Sequence, residues 1–160
     1  MKRILAGVSL LALLAACETP QKTDIPDSRL TRIGCYTVDL YDDPFQRNVV
    51  QPAKQGLPAN WNRYLGVWGE GAWNGGQCHE IHVTEVHQDG SVVIVDTTAP
   101  HEDLRAESHR RAGRIDRNGR LIVPGTAGPT VYTFEDGRLR GTRFLRRGGT
   151  QHVILLPKTS

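Results

Sequence analysis

The sequence predicts an all-β domain, a small antiparallel up-and-down barrel of about eight strands, with a two-sheet β-sandwich as the alternative. Three observations carry this expectation. Four hairpin-type dipeptides, Asp89-Gly90, Asn118-Gly119, Asp136-Gly137 and Gly148-Gly149, punctuate the chain after residue 60, each between residues that can alternate in and out. Two further breaks, Pro100 to Asp103 and Pro124 to Pro129, fall between them. No stretch after residue 60 has the apolar period of an amphipathic helix. Closing eight short strands on themselves removes the exposed edges that an open sheet would keep.

The chain begins with a different kind of segment. Lys2 and Arg3 precede an uncharged run from Ile4 to Ala16, which spans about 20 Å as a helix, short of a bilayer's hydrocarbon core of about 30 Å. A positive start followed by a short apolar run is the pattern of an export signal, residues 1–16. Its last residues, Leu14-Ala15-Ala16-Cys17, resemble the lipobox of bacterial lipoproteins. The resemblance implies that Cys17 is lipidated and becomes the new N-terminus. Each buried methylene contributes about 0.8 kcal/mol, so several acyl chains make a lasting anchor. Glu18, where an Asp would favour retention in the inner membrane, implies the outer membrane.

Residues 17–30 are polar, carry Pro20 and Pro26 and have no periodicity, which reads as a lipid-anchored tether. Residues 31–60 read as an extended segment and an irregular loop packed on the barrel. Ile33 to Tyr41 alternates, whereas Pro44, Pro52, Gly56 and Pro58 forbid a long helix. With Cys17 acylated, Cys35 and Cys78 remain as an even pair in an oxidising compartment and are expected to form a disulfide. Closing a loop of roughly 44 residues would contribute about 4 kcal/mol through the unfolded state. Zinc is the competing reading of Cys78-His79-Glu80-Ile81-His82, but no Cys-x-x-Cys or His-Glu-x-x-His spacing supports it.

The barrel domain, 61–160, divides at the breaks into segments from Tyr64 to Trp73, His79 to His87, Ser91 to Thr98, Glu107 to Asp116, Arg120 to Val123, Thr130 to Phe134, Arg138 to Leu145 and Gln151 to Leu156. The first is dense in glycine, which marks sharp coiling or close backbone approach. Gly66-Val67-Trp68 within it resembles the Gly-x-Trp opening of lipocalin-type and avidin-type barrels. On an ideal strand Trp68 and Trp73 face opposite ways, unless a bulge at the glycines resets the register. Tyr64, Trp68 and Trp73 are candidate ligand contacts, with packing of the barrel interior as the other reading. His79, Glu80, His82, Glu85 and His87 on the second strand read as a solvated face.

At 160 residues, 38% hydrophobic and 23% charged, the chain is an ordinary single-domain protein. Its formal charge of +3 gives no reason to expect nucleic acid. Charge is nevertheless uneven: Glu18 to Asp103 holds six basic and thirteen acidic residues, and Leu104 to Ser160 twelve basic and four acidic. Arginine supplies sixteen of the twenty basic residues, among them Arg138, Arg140, Arg143 and Arg146, candidate contacts for an anionic partner.

No Gly-x-Ser-x-Gly elbow, Ser-x-x-Lys or spaced pair of carboxylates is present, so neither an enzyme nor a cofactor is expected. The expected function is a non-catalytic outer-membrane lipoprotein that binds an envelope component or a protein partner. A lipocalin-like carrier of a small apolar ligand and a periplasmic protease inhibitor are the alternatives.

Overall fold

A computed structural model describes residues 26–35 and 49–158. Cys17, the signal segment and most of the expected extended segment around Ile33 to Tyr41 lie outside the described residues. Eight antiparallel strands close into a barrel in chain order, the up-and-down arrangement rather than the sandwich. They are β1 (Gly66–Ala72), β2 (Cys78–Val86), β3 (Ser91–Thr98), β4 (Glu107–Ile115), β5 (Leu121–Val123), β6 (Thr130–Glu135), β7 (Arg138–Phe144) and β8 (Thr150–Lys158). Two single-turn helices, α1 (Asp27–Leu30) and α2 (Ala59–Asn62), precede them. The barrel closes where Val67, Trp68 and Gly69 pair with Lys158, Pro157 and Leu156.

Turn chemistry gives the barrel two unlike ends. Asp136 and Gly137 hold φ of 49° and 76°, the doubly positive pair of a type I′ turn, whose twist matches that of the flanking strands. The tight turns at Asp89-Gly90 and Asn118-Gly119 lie at this same end, as strand alternation requires. At the other end the connections after β1, β3 and β5 are longer and irregular. The short-turn end is closed by side chains: Tyr64, Trp68, Val83, Val86, Val92, Ile94, Ile115, Leu121, Leu139 and Leu155 form one buried cluster, with Trp61 and Phe134 packed against it. Tyr64 seals it by donating its hydroxyl to the Gly119 carbonyl at 2.7 Å.

A bulge in β1 brings both tryptophans inside. The register with β2 shifts between Trp68 and Gly71, and Glu70 takes up the extra residue at φ 58°. Trp68 and Trp73 then both belong to the core, 5% and 3% exposed. Gly71 has to be glycine, because a Cβ there would collide with the Ile154 carbonyl and with Leu155 and Val153 on β8.

The N-terminal segment is fixed to the barrel wall. Cys35 and Cys78 form the expected disulfide, their Cα atoms 5.5 Å apart. Thr31 bridges to Gly71, the Arg32 amide donates to the Glu70 carbonyl at 2.7 Å, and Leu30 is buried. Residues 27–30, the end of the expected lipid-anchored tether, form α1, which Arg140 holds through both carboxylate oxygens of Asp27 at 3.0 and 2.9 Å. The opposed charges of the two halves meet in such pairs. Glu85 with Arg110, Asp96 with Arg111 and Glu80 with Lys158 each join an acidic residue of the early strands to a basic one of the late strands.

Candidate functional site

Toward the irregular end the inner face changes from apolar to polar. Ile94 on β3 points into the core and stands opposite Arg111 on β4. Alternation therefore turns Asp96 and Thr98 inward, and with them their partners His109 and Glu107. Across the barrel Thr130 pairs with Arg143, and Arg143 with Gln151, one step beyond the buried row of Tyr132, Gly141 and Val153. These side chains line a cavity of about 350 Å³ that the apolar cluster closes off below.

An opening in the wall follows from the shortness of β5. Only Arg114 and Ile115 of β4 pair with it, so Glu107 to Gly113 have a strand partner on the β3 side alone. The cavity lies along this split, with Leu104 and Arg105 on one bank and Val123 to Gly128 on the other. The second bank is held in place. The Phe144 amide donates to the Pro129 carbonyl at 2.9 Å and the Arg146 amide to that of Ala127 at 3.0 Å. Gly128, at φ 144°, lies so close to the Phe144 carbonyl that no side chain fits.

Behind the cavity three buried rings stand together. The Trp73 and His79 rings are 4.8 Å apart, and His79 stacks on Tyr132 at 6.3 Å and 14°. His79 Nδ1 lies 2.9 Å from the Thr97 carbonyl, which can only accept, so Nδ1 carries the proton. Nε2 is then the acceptor for the Tyr132 hydroxyl at 2.7 Å. Burial holds His79 neutral by pushing its pKa down to about 4, against an opposing pull from Asp96. Burial likewise pushes the Tyr132 hydroxyl well above its ordinary pKa, so it stays protonated as a donor.

The charges in the cavity do not cancel. Arg111 Nε donates to Asp96 Oδ2 at 3.0 Å, with both side chains largely buried. Glu107 lies 3.3 Å from His109 at the exposed edge. Arg143 carries its guanidinium 4.0 Å above the Trp73 ring, and it has no hydrogen bond or ion pair among the described residues. Beneath it the Trp73 indole N–H is buried without an acceptor among the described residues. An arrangement with one guanidinium inside the barrel that has no ion pair among the described residues, a second, Arg105, at its exposed bank, and several neutral polar groups can hold a small polar ligand.

The residues singled out in the sequence are distributed as follows. Tyr64 and Trp68 lie in the apolar cluster at the closed end, and Trp73 supports Arg143. Of the four arginines only Arg143 faces inward. Arg140 is held outside by Asp27 and Glu135, Arg138 is exposed at the end of β7 nearer the short turns, and Arg146 is exposed in the turn between β7 and β8, its amide bonded to the Ala127 carbonyl at the cavity's rim. The acid–base cluster on β2 is not a solvated face. His79 is buried inside, and Glu80 is buried outside, 2.7 Å from both His82 and Lys158. Arg111 belongs to the run of arginines from Arg110 to Arg120 that stands out in the sequence, whereas nothing there marks Asp96, Glu107, His109 or Gln151. Their signal lies in strand register, since inward Val92 and Ile94 place every second residue of β3, and hence of β4, in the interior. No family model matches the chain, and no curated protein or solved structure matches it either.

Proposed function

We propose that the protein is a lipoprotein anchored in the outer membrane through Cys17, and that it acts as a non-catalytic binding module for a component of the cell envelope. The ligand enters the polar mouth of the barrel, while the short-turn end serves as the packed base. The observation that supports this reading is the half-filled interior, a cavity of about 350 Å³ lined by Asp96, Arg111, Arg143 and Gln151 above an apolar core. A carrier of an apolar ligand would need the opposite lining, because these polar groups would be stripped of water without gaining partners. The arginines outside the barrel are less suited to a ligand. Arg110, Arg120 and Arg140 already have carboxylate partners within the chain.

Titrating soluble envelope fragments, such as enzymatically released peptidoglycan pieces, into the isotope-labelled mature chain tests the placement. Amide shifts are expected at Asp96, Arg111, Arg143 and Gln151. Shifts confined to Arg138, Arg140 and their outer neighbours would move the site to the outer surface.

A further inference from the structure

We infer that the cavity selects a small hydrophilic ligand bearing a single carboxylate, seated on Arg143. This rests on the reading of the barrel mouth as a binding site, and it adds the chemical class of the ligand. Four observations carry it.

The first is the state of Arg143. Its guanidinium lies over Trp73 at 4.0 Å and lines the cavity, yet no carboxylate or carbonyl among the described residues receives its N–H groups. Stacking on an indole occupies the face of a guanidinium and leaves the N–H fork at its edge, the geometry that a carboxylate meets with two parallel hydrogen bonds. Arginines elsewhere in the chain show the same pairing, as Arg140 does with Asp27.

The second is the charge of the remaining lining. Arg111 is already matched by Asp96, so of the two arginines inside the barrel Arg143 is the one with no ion pair among the described residues, while Arg105 and Glu107 set one charge of each sign on the exposed β3–β4 side of the mouth. Glu107, facing inward from the opposite wall, disfavours a second negative charge on the ligand. One carboxylate fits this balance better than a dianionic phosphate.

The third is the character of the other wall groups. Thr98, Thr130 and Gln151 offer hydroxyls and an amide, which suit hydroxyl or amide groups on the ligand rather than an alkyl chain. The fourth is size and access. About 350 Å³ is near the lower limit of ligand sites, enough for a molecule the size of a monosaccharide or a dipeptide. The split beside β4 lets such a group enter as the end of a longer chain.

A sugar acid and a peptide C-terminus share this chemistry, and the probes separate them. Glucuronate, D-alanyl-D-alanine, glucose and inorganic phosphate are each titrated by calorimetry and amide shift mapping into the mature chain and into its Arg143→Gln and Arg143→Lys variants. At least one of the two carboxylates is expected to bind at Arg143 and Gln151, and which one identifies the source. Glucose is expected to bind at least about tenfold more weakly than glucuronate, or not at all where D-alanyl-D-alanine is the ligand. Arg143→Gln is expected to lose about tenfold or more in affinity for the carboxylate, with Arg143→Lys intermediate because it keeps the charge without the fork. An unchanged melting temperature in the lysine variant separates loss of binding from loss of fold.

Glucose and glucuronate binding equally at the cavity, with Arg143→Gln indifferent, would overturn the carboxylate assignment and leave the cavity as a binding site. Phosphate binding more tightly than either carboxylate would overturn the single-charge argument. Failure of both carboxylates to bind at millimolar concentration would overturn the inference. Envelope fragments that still shift the cavity amides would then preserve the broader reading, and fragments that shift only the outer surface would remove that too.

Discussion

Trp68→Ala is expected to lower the stability of the barrel by about 3–5 kcal/mol, the usual cost of truncating a large buried aromatic side chain. Trp68 is 5% exposed, meets Phe134 edge-to-face at 5.8 Å and donates its indole N–H to the Tyr64 carbonyl at 2.8 Å. Removing it opens a hole in the closed end and leaves that carbonyl without its donor. The loss should appear in a urea titration followed by circular dichroism, as a lower midpoint with little change in slope. Because Trp68 sits in the closed end, the affinity of the folded fraction for cavity ligands should be unchanged. A variant of normal stability that had lost binding would instead make Trp68 a ligand contact.

Acid should weaken the fold well above the pH at which carboxylates titrate. His79 has a pKa of about 4 in the folded chain against 6.5 for an ordinary histidine, so between those values the unfolded chain binds a proton that the folded chain refuses. Stability is therefore full above pH 6.5 and is lost as the pH falls toward 4, by about 3 kcal/mol in all. The cause is mainly burial among Trp73, Tyr132 and the β3 backbone, with Arg143 acting in the same direction. Asp96, 3.6 Å away, opposes it without prevailing. The lowered carboxyl pKa values of Asp27, Glu80, Asp89 and Asp116 begin to act only below about pH 5, so their loss follows that of His79. Unfolding midpoints at pH 7.5 and 4.5 measure this directly. His79→Gln should be less stable at pH 7.5 and nearly flat between the two, whereas an equal drop in the variant would place the proton elsewhere.

The strands were legible because their punctuation is local chemistry. Asp136-Gly137 specifies a turn whatever surrounds it, and the expected Ser91 to Thr98 segment coincides with β3. The disulfide was legible from compartment and parity. The site was not, for a reason visible in β4. Its sequence, Glu-Ser-His-Arg-Arg-Ala-Gly-Arg-Ile, is polar on both faces, so alternation alone cannot say whether Arg110 or Arg111 points inward. That is settled by pairing with β3, where Ile94 stands opposite Arg111. Trp73 was obscured in a similar way, since its inward position depends on the bulge at Glu70. Arginine density likewise drew attention to the late hairpins as a whole. Folding divides them into outward residues held by carboxylates, such as Arg140, and Arg143 inside the barrel.

In the proposed function, binding belongs to the mouth of the barrel rather than to its arginine-rich exterior. Retention of the purified mature chain on isolated envelope fractions tests this most directly, with two double variants compared side by side. Arg117→Ser with Arg138→Ser removes exposed charge at the short-turn end, and Arg143→Gln with Gln151→Ala removes cavity groups at the cost of one arginine. The outer pair is expected to be retained like the unaltered protein and the cavity pair to be washed away. Retention of the cavity pair together with loss of the outer pair would contradict that placement.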